Sequence, residues 1–224
     1  MTARVADYLP QKINQYVPNM TYSADVVMEG PVRCDLGTPA ALDVNGILLL
    51  QDMTVAGEQT TFESAYSRSV MGNFGRGITI DAAGATTSEI SIFGRDYLGQ
   101  PMQETADLAG TSQVEMTKAF AWIERITWEA VAEDLIVGWN NVLGLPYNTR
   151  ALTHEIIDAA GGGFIAVGTV GAFAAGVVTD PSTALLGDVR GTVIPNDVPD
   201  GTSKYIVHAL VDRSNLHGVA QFFS

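Results

Sequence analysis

From residue 41 onward the apolar residues recur with a period of two in short runs, and this restricts the chain to sheet-based folds. In Ile78-Thr79-Ile80-Asp81 and in Glu89-Ile90-Ser91-Ile92-Phe93, apolar and polar side chains alternate, as in a strand with one buried face. Asp81 to Ser88 supplies turn residues between these two runs and predicts a hairpin. Gly94 to Gly99 reads as a turn and Met102 to Leu108 as the next strand. Ala119 to Ala130 is a long strand rich in aromatic and β-branched residues, and Leu135 to Trp139 follows it, with a stop at Gly144-Leu145-Pro146. Ala151 to Ala160 is the best helix candidate, with Leu152, Ile156 and Ile157 on one helical face, but it lacks a strong cap and fits a strand equally well. Gly161 to Val178 reads as short Gly- and Ala-rich strands, Asp188 to Ile194 as a strand, Pro195 to Ser203 as a loop, and Lys204 to Val211 as a final alternating strand. Strands at about ten-residue spacing with turns between them indicate an all-β sandwich or a jelly-roll-like barrel.

The N-terminal part reads differently. Pro10, Pro18, Pro31 and Pro39 punctuate it, each removing a backbone donor and pushing the preceding residue toward extended geometry. Between them lie Tyr8, Leu9, Ile13, Tyr16, Val17, Met20 and Tyr22, too apolar a set for a solvated tail. Residues 1–40 are therefore expected to form an extended arm, with these seven residues as partner contacts, and residues 41–224 a single β-sandwich body. The arm packs either on its own body or on a neighbouring subunit.

Charge limits the partners. Twenty-five acidic and twelve basic residues give a net charge of −13, and no two Lys or Arg are adjacent, so phosphate neutralisation is unfavourable. Neither nucleic acid nor an anionic membrane surface is expected as a direct partner. The first residues lack an apolar signal region, and Gly161 to Val178 is too Gly-rich to read as a membrane span. Synthesis in a cytosol-like compartment is the expectation, with exit only inside a particle.

No catalytic constellation emerges. Gly75-Arg76-Gly77 lacks the spacing and ending of a phosphate loop, and no Gly-x-Ser-x-Gly elbow occurs. His154, His208 and His217 have no metal-ligand spacing, and the single cysteine, Cys34, reads as a small buried hydrophobe. Glu124 with Glu129, or Glu133 with Asp134, could be paired carboxylates of a glycoside hydrolase, but an acidic chain holds many such pairs by chance. Trp122 and Trp128 share strand parity and are expected on the same face, in a core or interface, with a carbohydrate platform as the functional alternative. The chain is expected to be a non-enzymatic protein without cofactor or metal.

One longer pattern stands out. Gly75-Arg76-Gly77-Ile78-Thr79-Ile80 is followed by Gly94-Arg95-Asp96-Tyr97-Leu98-Gly99-Gln100-Pro101-Met102-Gln103-Glu104, a Gly-x-Asp-x-x-Gly-x-Pro-x-x-Glu run, and then by Lys118-Ala119-Phe120. Val137-Gly138, Leu143 to Pro146, Gly187-Asp188-Val189-Arg190-Gly191-Thr192 and Asn215 to Phe222 continue it. Over roughly residues 75 to 223 the chain resembles virion structural proteins of tailed phages, the capsid cement or decoration proteins. The resemblance implies the major capsid protein as partner, a homo-oligomer (dimer or trimer) on the capsid, and a place on the virion's outer surface. A tail or head-fibre component that binds a host glycan is the alternative.

Overall fold

The computed structural model describes residues 31–131, 133–159, 163–167 and 170–222. The seven arm positions from Tyr8 to Tyr22 lie outside them.

Among the described residues there are fourteen strands and no α-helix. In chain order they are β1 (Val32–Gly37), β2 (Asp43–Asp52), β3 (Gly57–Gln59), β4 (Arg76–Ala82), β5 (Glu89–Arg95), β6 (Pro101–Asp107) and β7 (Val114–Glu115). β8 (Trp122–Trp128), β9 (Asp134–Gly144), β10 (Thr149–Ala159), β11 (Gly163–Val167), β12 (Ala172–Ala175), β13 (Gly191–Ile194) and β14 (Lys204–Val211) follow. They form three antiparallel sheets: β1-β14-β10-β11, β12-β13-β9-β4-β7 with β2 also on β9, and β3-β8-β5-β6. The all-β reading therefore holds. Within residues 1–40, Val32–Gly37 belongs to the body, since it pairs with β14 from Val32 opposite Ala209 to Gly37 opposite Tyr205. Cys34 lies buried on that strand, where loss of solvent pushes its thiol up to about 11.

Two apolar cores lie between the sheets. The larger joins Ile78, Ile80, Leu135, Val137 and Trp139 of the central sheet to Ile90, Ile92, Met102, Ile123, Ile126 and Trp128 of the β5 sheet. The smaller joins Cys34, Leu36, Ile157, Tyr205, Val207 and Ala209 to Leu143, Leu145 and Val193. Each fully buried aliphatic side chain here contributes about 1.5–3 kcal/mol. The expected hairpin between residues 78–81 and 89–93 does not form. β4 pairs with β7 and β9, and β5 with β6 and β8. Residues 83–88 instead carry the chain between sheets, because the apolar faces of both strands are buried by facing each other across one core rather than lying side by side.

β9 serves both cores and has to bend between them. Ile78 opposes Trp139 while Arg76 opposes Leu143, so β9 carries extra residues between these two pairs. Asn140 fills that bulge: its amide donates to Ile78 O at 2.9 Å and its carbonyl oxygen accepts from Val142 N–H at 2.9 Å. Arg76, fully buried, donates Nε to Asn140 O at 2.5 Å and Nη1 to Ala40 O at 2.6 Å. A bulge also separates the two tryptophans. The pairing of β5 with β8 shifts between Phe93 and Gly94, so Ile123 and Ile126 both point inward. Trp128 is buried and Trp122 turns outward, contrary to their shared parity.

Of the helix candidate, residues 151–159 form part of strand β10, which pairs along most of its length with β14. Its inward face carries Ile157 and also Glu155, whose carboxylate accepts from Gly171 N–H at 2.8 Å and Asn196 N–H at 3.1 Å. Both ends of β14 are held by aspartate turns. Asp200 accepts from the N–H groups of Thr202 and Ser203, both at 2.7 Å, and these hold its carboxyl well below the usual range. Asp212 is lowered likewise, by the Ser214 hydroxyl at 2.5 Å and by Arg150 at 2.8 Å. A depressed carboxyl contributes stability that is present above the unfolded value, near about 4, and lost as pH falls. Urea midpoints are therefore expected to fall more steeply below about pH 4 for the native chain than for D200N/D212N. Parallel slopes would show that the turns do not couple to folding.

Candidate functional site

The turn and loop segments around Asp96–Glu104, Thr117–Ala119, Ser182–Arg190 and Leu216–Ala220 converge on one buried polar cluster beside the two cores. Asp96 opens the turn between β5 and β6, and its Oδ1 accepts from Leu98 N–H at 2.9 Å and Gln100 N–H at 2.8 Å. Its Oδ2 lies 2.9 Å from Arg190 Nη1, with both side chains essentially inaccessible. That oxygen has no aligned hydrogen bond, so charge rather than alignment holds the pair. The Arg190 guanidinium sits 4.8 Å from the centre of the Tyr97 ring and donates to His217 O at 3.4 Å, while the Tyr97 hydroxyl donates to Pro146 O.

A second set of contacts continues the cluster. Asp188 accepts from Arg190 N–H at 2.8 Å and from Ala119 N–H at 3.1 Å. Glu104 accepts from Thr117 N–H at 2.7 Å and Lys118 N–H at 2.9 Å. Burial pushes its carboxyl up, and these donors oppose the shift. Lys118 Nζ, held down by burial, donates to Thr183 O at 2.8 Å. Ser182 N–H donates to Ala220 O at 2.8 Å and Asn148 N–H to Leu216 O at 2.9 Å, so the C-terminal segment closes over the cluster. Spacing alone could not show that these motifs meet. Their polar groups bind one another and the backbone, an arrangement that locks loops to sheets.

The other candidate groups do not assemble. His208 sits opposite His154 on β10 with ring centres 5.9 Å apart, whereas His217 lies beside Tyr147. Among the described residues no three His, Cys, Asp or Glu come together as a metal site would require. Glu124 is paired with Arg95 at 2.6 Å on the surface, and the groove it lines with Phe93, Met102, Gln103, Arg125 and Phe222 has no second carboxylate. Arg125 lies 4.0 Å over Phe93, which lines that groove, and Arg68 lies 4.2 Å over Trp122.

The surface feature that pattern reading missed is β2. It pairs with β9 on one side and, among the described strands, with none on the other. Its side chains include Leu49 and Leu50, 50% and 57% exposed, and Val55 beyond it is 74% exposed. Leu50 sits at φ 109°, beside the register shift between Leu49 and Gln51. A leucine there is strained, a cost that persists only where surrounding structure imposes it. Leu48 to Gln51 and Gln59, Thr61, Phe62 and Glu63 line a groove of about 430 Å3, and Glu63 N–H donates to Ile47 O at 3.0 Å at one end. The run Ile47-Leu48-Leu49-Leu50 was the available signal, but it reads equally as core.

No protein-family model matches the chain, and comparison with curated proteins and with solved structures finds no match.

Proposed function

We propose that the chain is a capsid cement or decoration protein of a tailed phage, bound to the outer surface of the major capsid lattice and adding contacts between its subunits. The observation that carries the reading is a strongly acidic chain whose described residues expose ten large apolar side chains. Leu42, Val44, Leu49, Leu50 and Val55 lie in and beside β2, Leu98 in the turn after β5, and Val178, Leu185, Ile194 and Val198 on β13 and the loops before and after it. Leu185 is 81% exposed and Val55 74%. A protein that bridges lattice subunits uses exposed apolar contacts, and many equivalent copies multiply a modest contact energy.

The resemblance of residues 75 to 223 to virion structural proteins supports the same role, and the buried cluster fits it. A rigid module loses little freedom on docking. The alternative, a fibre component binding a host glycan, needs an open aromatic face, and the guanidinium groups over Phe93 and Trp122 weaken it. The test is to mix purified chain with capsids of the corresponding major capsid protein and count bound copies by quantitative mass spectrometry. Hundreds per particle, with raised heat resistance, is the expected result. Absence from capsids together with glycan-array binding would sink the proposal.

A further inference from the structure

We infer that the groove along the open edge of β2 receives an extended apolar segment from residues 1–30 of a second copy of this chain, so that copies are joined by arm exchange. Four observations carry this. First, β2 is a ten-residue strand that pairs with β9 and with no other described strand, Glu63 N–H bonding only its Ile47 O, and its interior, Val44 to Gln51, has none of the Lys or Pro residues that usually blunt an edge against strand addition. Second, the groove floor offers Leu48, Leu49, Leu50 and Phe62, which suits alternate apolar side chains of an added strand. Third, Leu9, Ile13 and Val17 share one strand parity within a single stretch of the chain, so an added strand would turn all three to the same face.

Charge is the fourth. No cation lines the groove, Glu63 stands on its wall and Asp52 ends its strand. The segment's only cations, Arg4 and Lys12, flank Tyr8 and Leu9, and Lys12 adjoins Ile13. Thirty extended residues reach at most about 100 Å, ample for a neighbour's groove. The segment joins the body at β1. Reciprocal exchange between two copies closes a twofold dimer, and a cyclic exchange closes a trimer.

The inference goes beyond lattice binding and is tested without capsids, so its failure leaves that proposal standing. Copies labelled with light and heavy nitrogen are mixed, treated with a zero-length carbodiimide and mapped by mass spectrometry. Lys12 is the useful amine, because Lys118 is buried and Lys204 is paired with Asp35 at 2.6 Å. Cross-links from Lys12 to Glu63 or Asp52 that join light to heavy chains are expected. Two full-length variants give the second reading, L9D/I13D in the segment and L49D/L50D in the groove. Each alone is expected to be monomeric by light scattering, and their mixture to form a dimer through the one intact arm and groove. The inference is overturned by a monomeric native chain, by either variant keeping the native mass, by a mixture that stays monomeric, or by Lys12 cross-links confined to single chains.

Discussion

Replacing Arg190 with methionine is expected to cost about 3–5 kcal/mol of unfolding free energy, because it leaves the Asp96 carboxylate buried without its counter-charge. The pair is fully enclosed, so water cannot enter to solvate the orphaned oxygen without opening the turn between β5 and β6. The loss extends past the ion pair, since the same guanidinium packs on Tyr97 and donates to His217 O. The variant D96N/R190M separates the contributions. Asparagine keeps an Oδ1 that can accept from Leu98 and Gln100 N–H while removing the charge, so more than half of the loss is expected to return. Chemical denaturation of the two variants and the native chain measures this. If the double variant is no more stable than R190M, the uncompensated charge is not the source of the loss.

The sequence made individual strands legible and left their partners hidden, for a physical reason. Alternation reports which residues share a face, and Lys204–Val211 emerges with the boundaries that its pattern predicts. Pairing depends on contacts distant in sequence, and residues 78–81 and 89–93 show the consequence: two good strands next to one strong turn region, yet placed in opposite sheets. Bulges are equally silent. The one in β8 turns Trp122 out and Trp128 in, and its position follows from how Phe93 and Gly94 meet the neighbouring strand. Helical periodicity at Leu152, Ile156 and Ile157 lost to β10's ladder with β14, which also buries Glu155, a residue no apolar pattern would place inside. The polar cluster was visible only as separate motif segments. Nothing local connects Asp96 to Arg190 or Lys118 to Thr183, because each contact is made by loops that the sheets bring together. The apolar groove was masked for the opposite reason, since exposed and buried leucines look alike in a short run.

Those motif segments also contain glycines whose role is steric, and Gly138 is the sharpest case. Substituting alanine there is expected to cost about 3 kcal/mol or more, because the new Cβ would collide with Asp43 O and the Val44 backbone where β2 crosses β9. Neither contact is a side-chain end that could swing away, so relief requires β2 to lift from β9. Lifting it would break the pairs Leu48 with Val137 and Leu49 with Ile136, uncover Ile47, and take the Trp139 indole from its bond to Ala41 O at 2.8 Å. Gly94 presents the same problem against Trp122 O on β8, so alanine there is the matched control in another sheet. The two substitutions should differ in where protection is lost. Hydrogen exchange in Gly138→Ala should rise along β2 and the facing half of β9, and in Gly94→Ala along β5 and β8. Were Gly138→Ala to match the native chain in denaturant midpoint and exchange, the crossing of β2 over β9 would be looser than its contacts require, and so would the placement of the apolar edge that β2 presents.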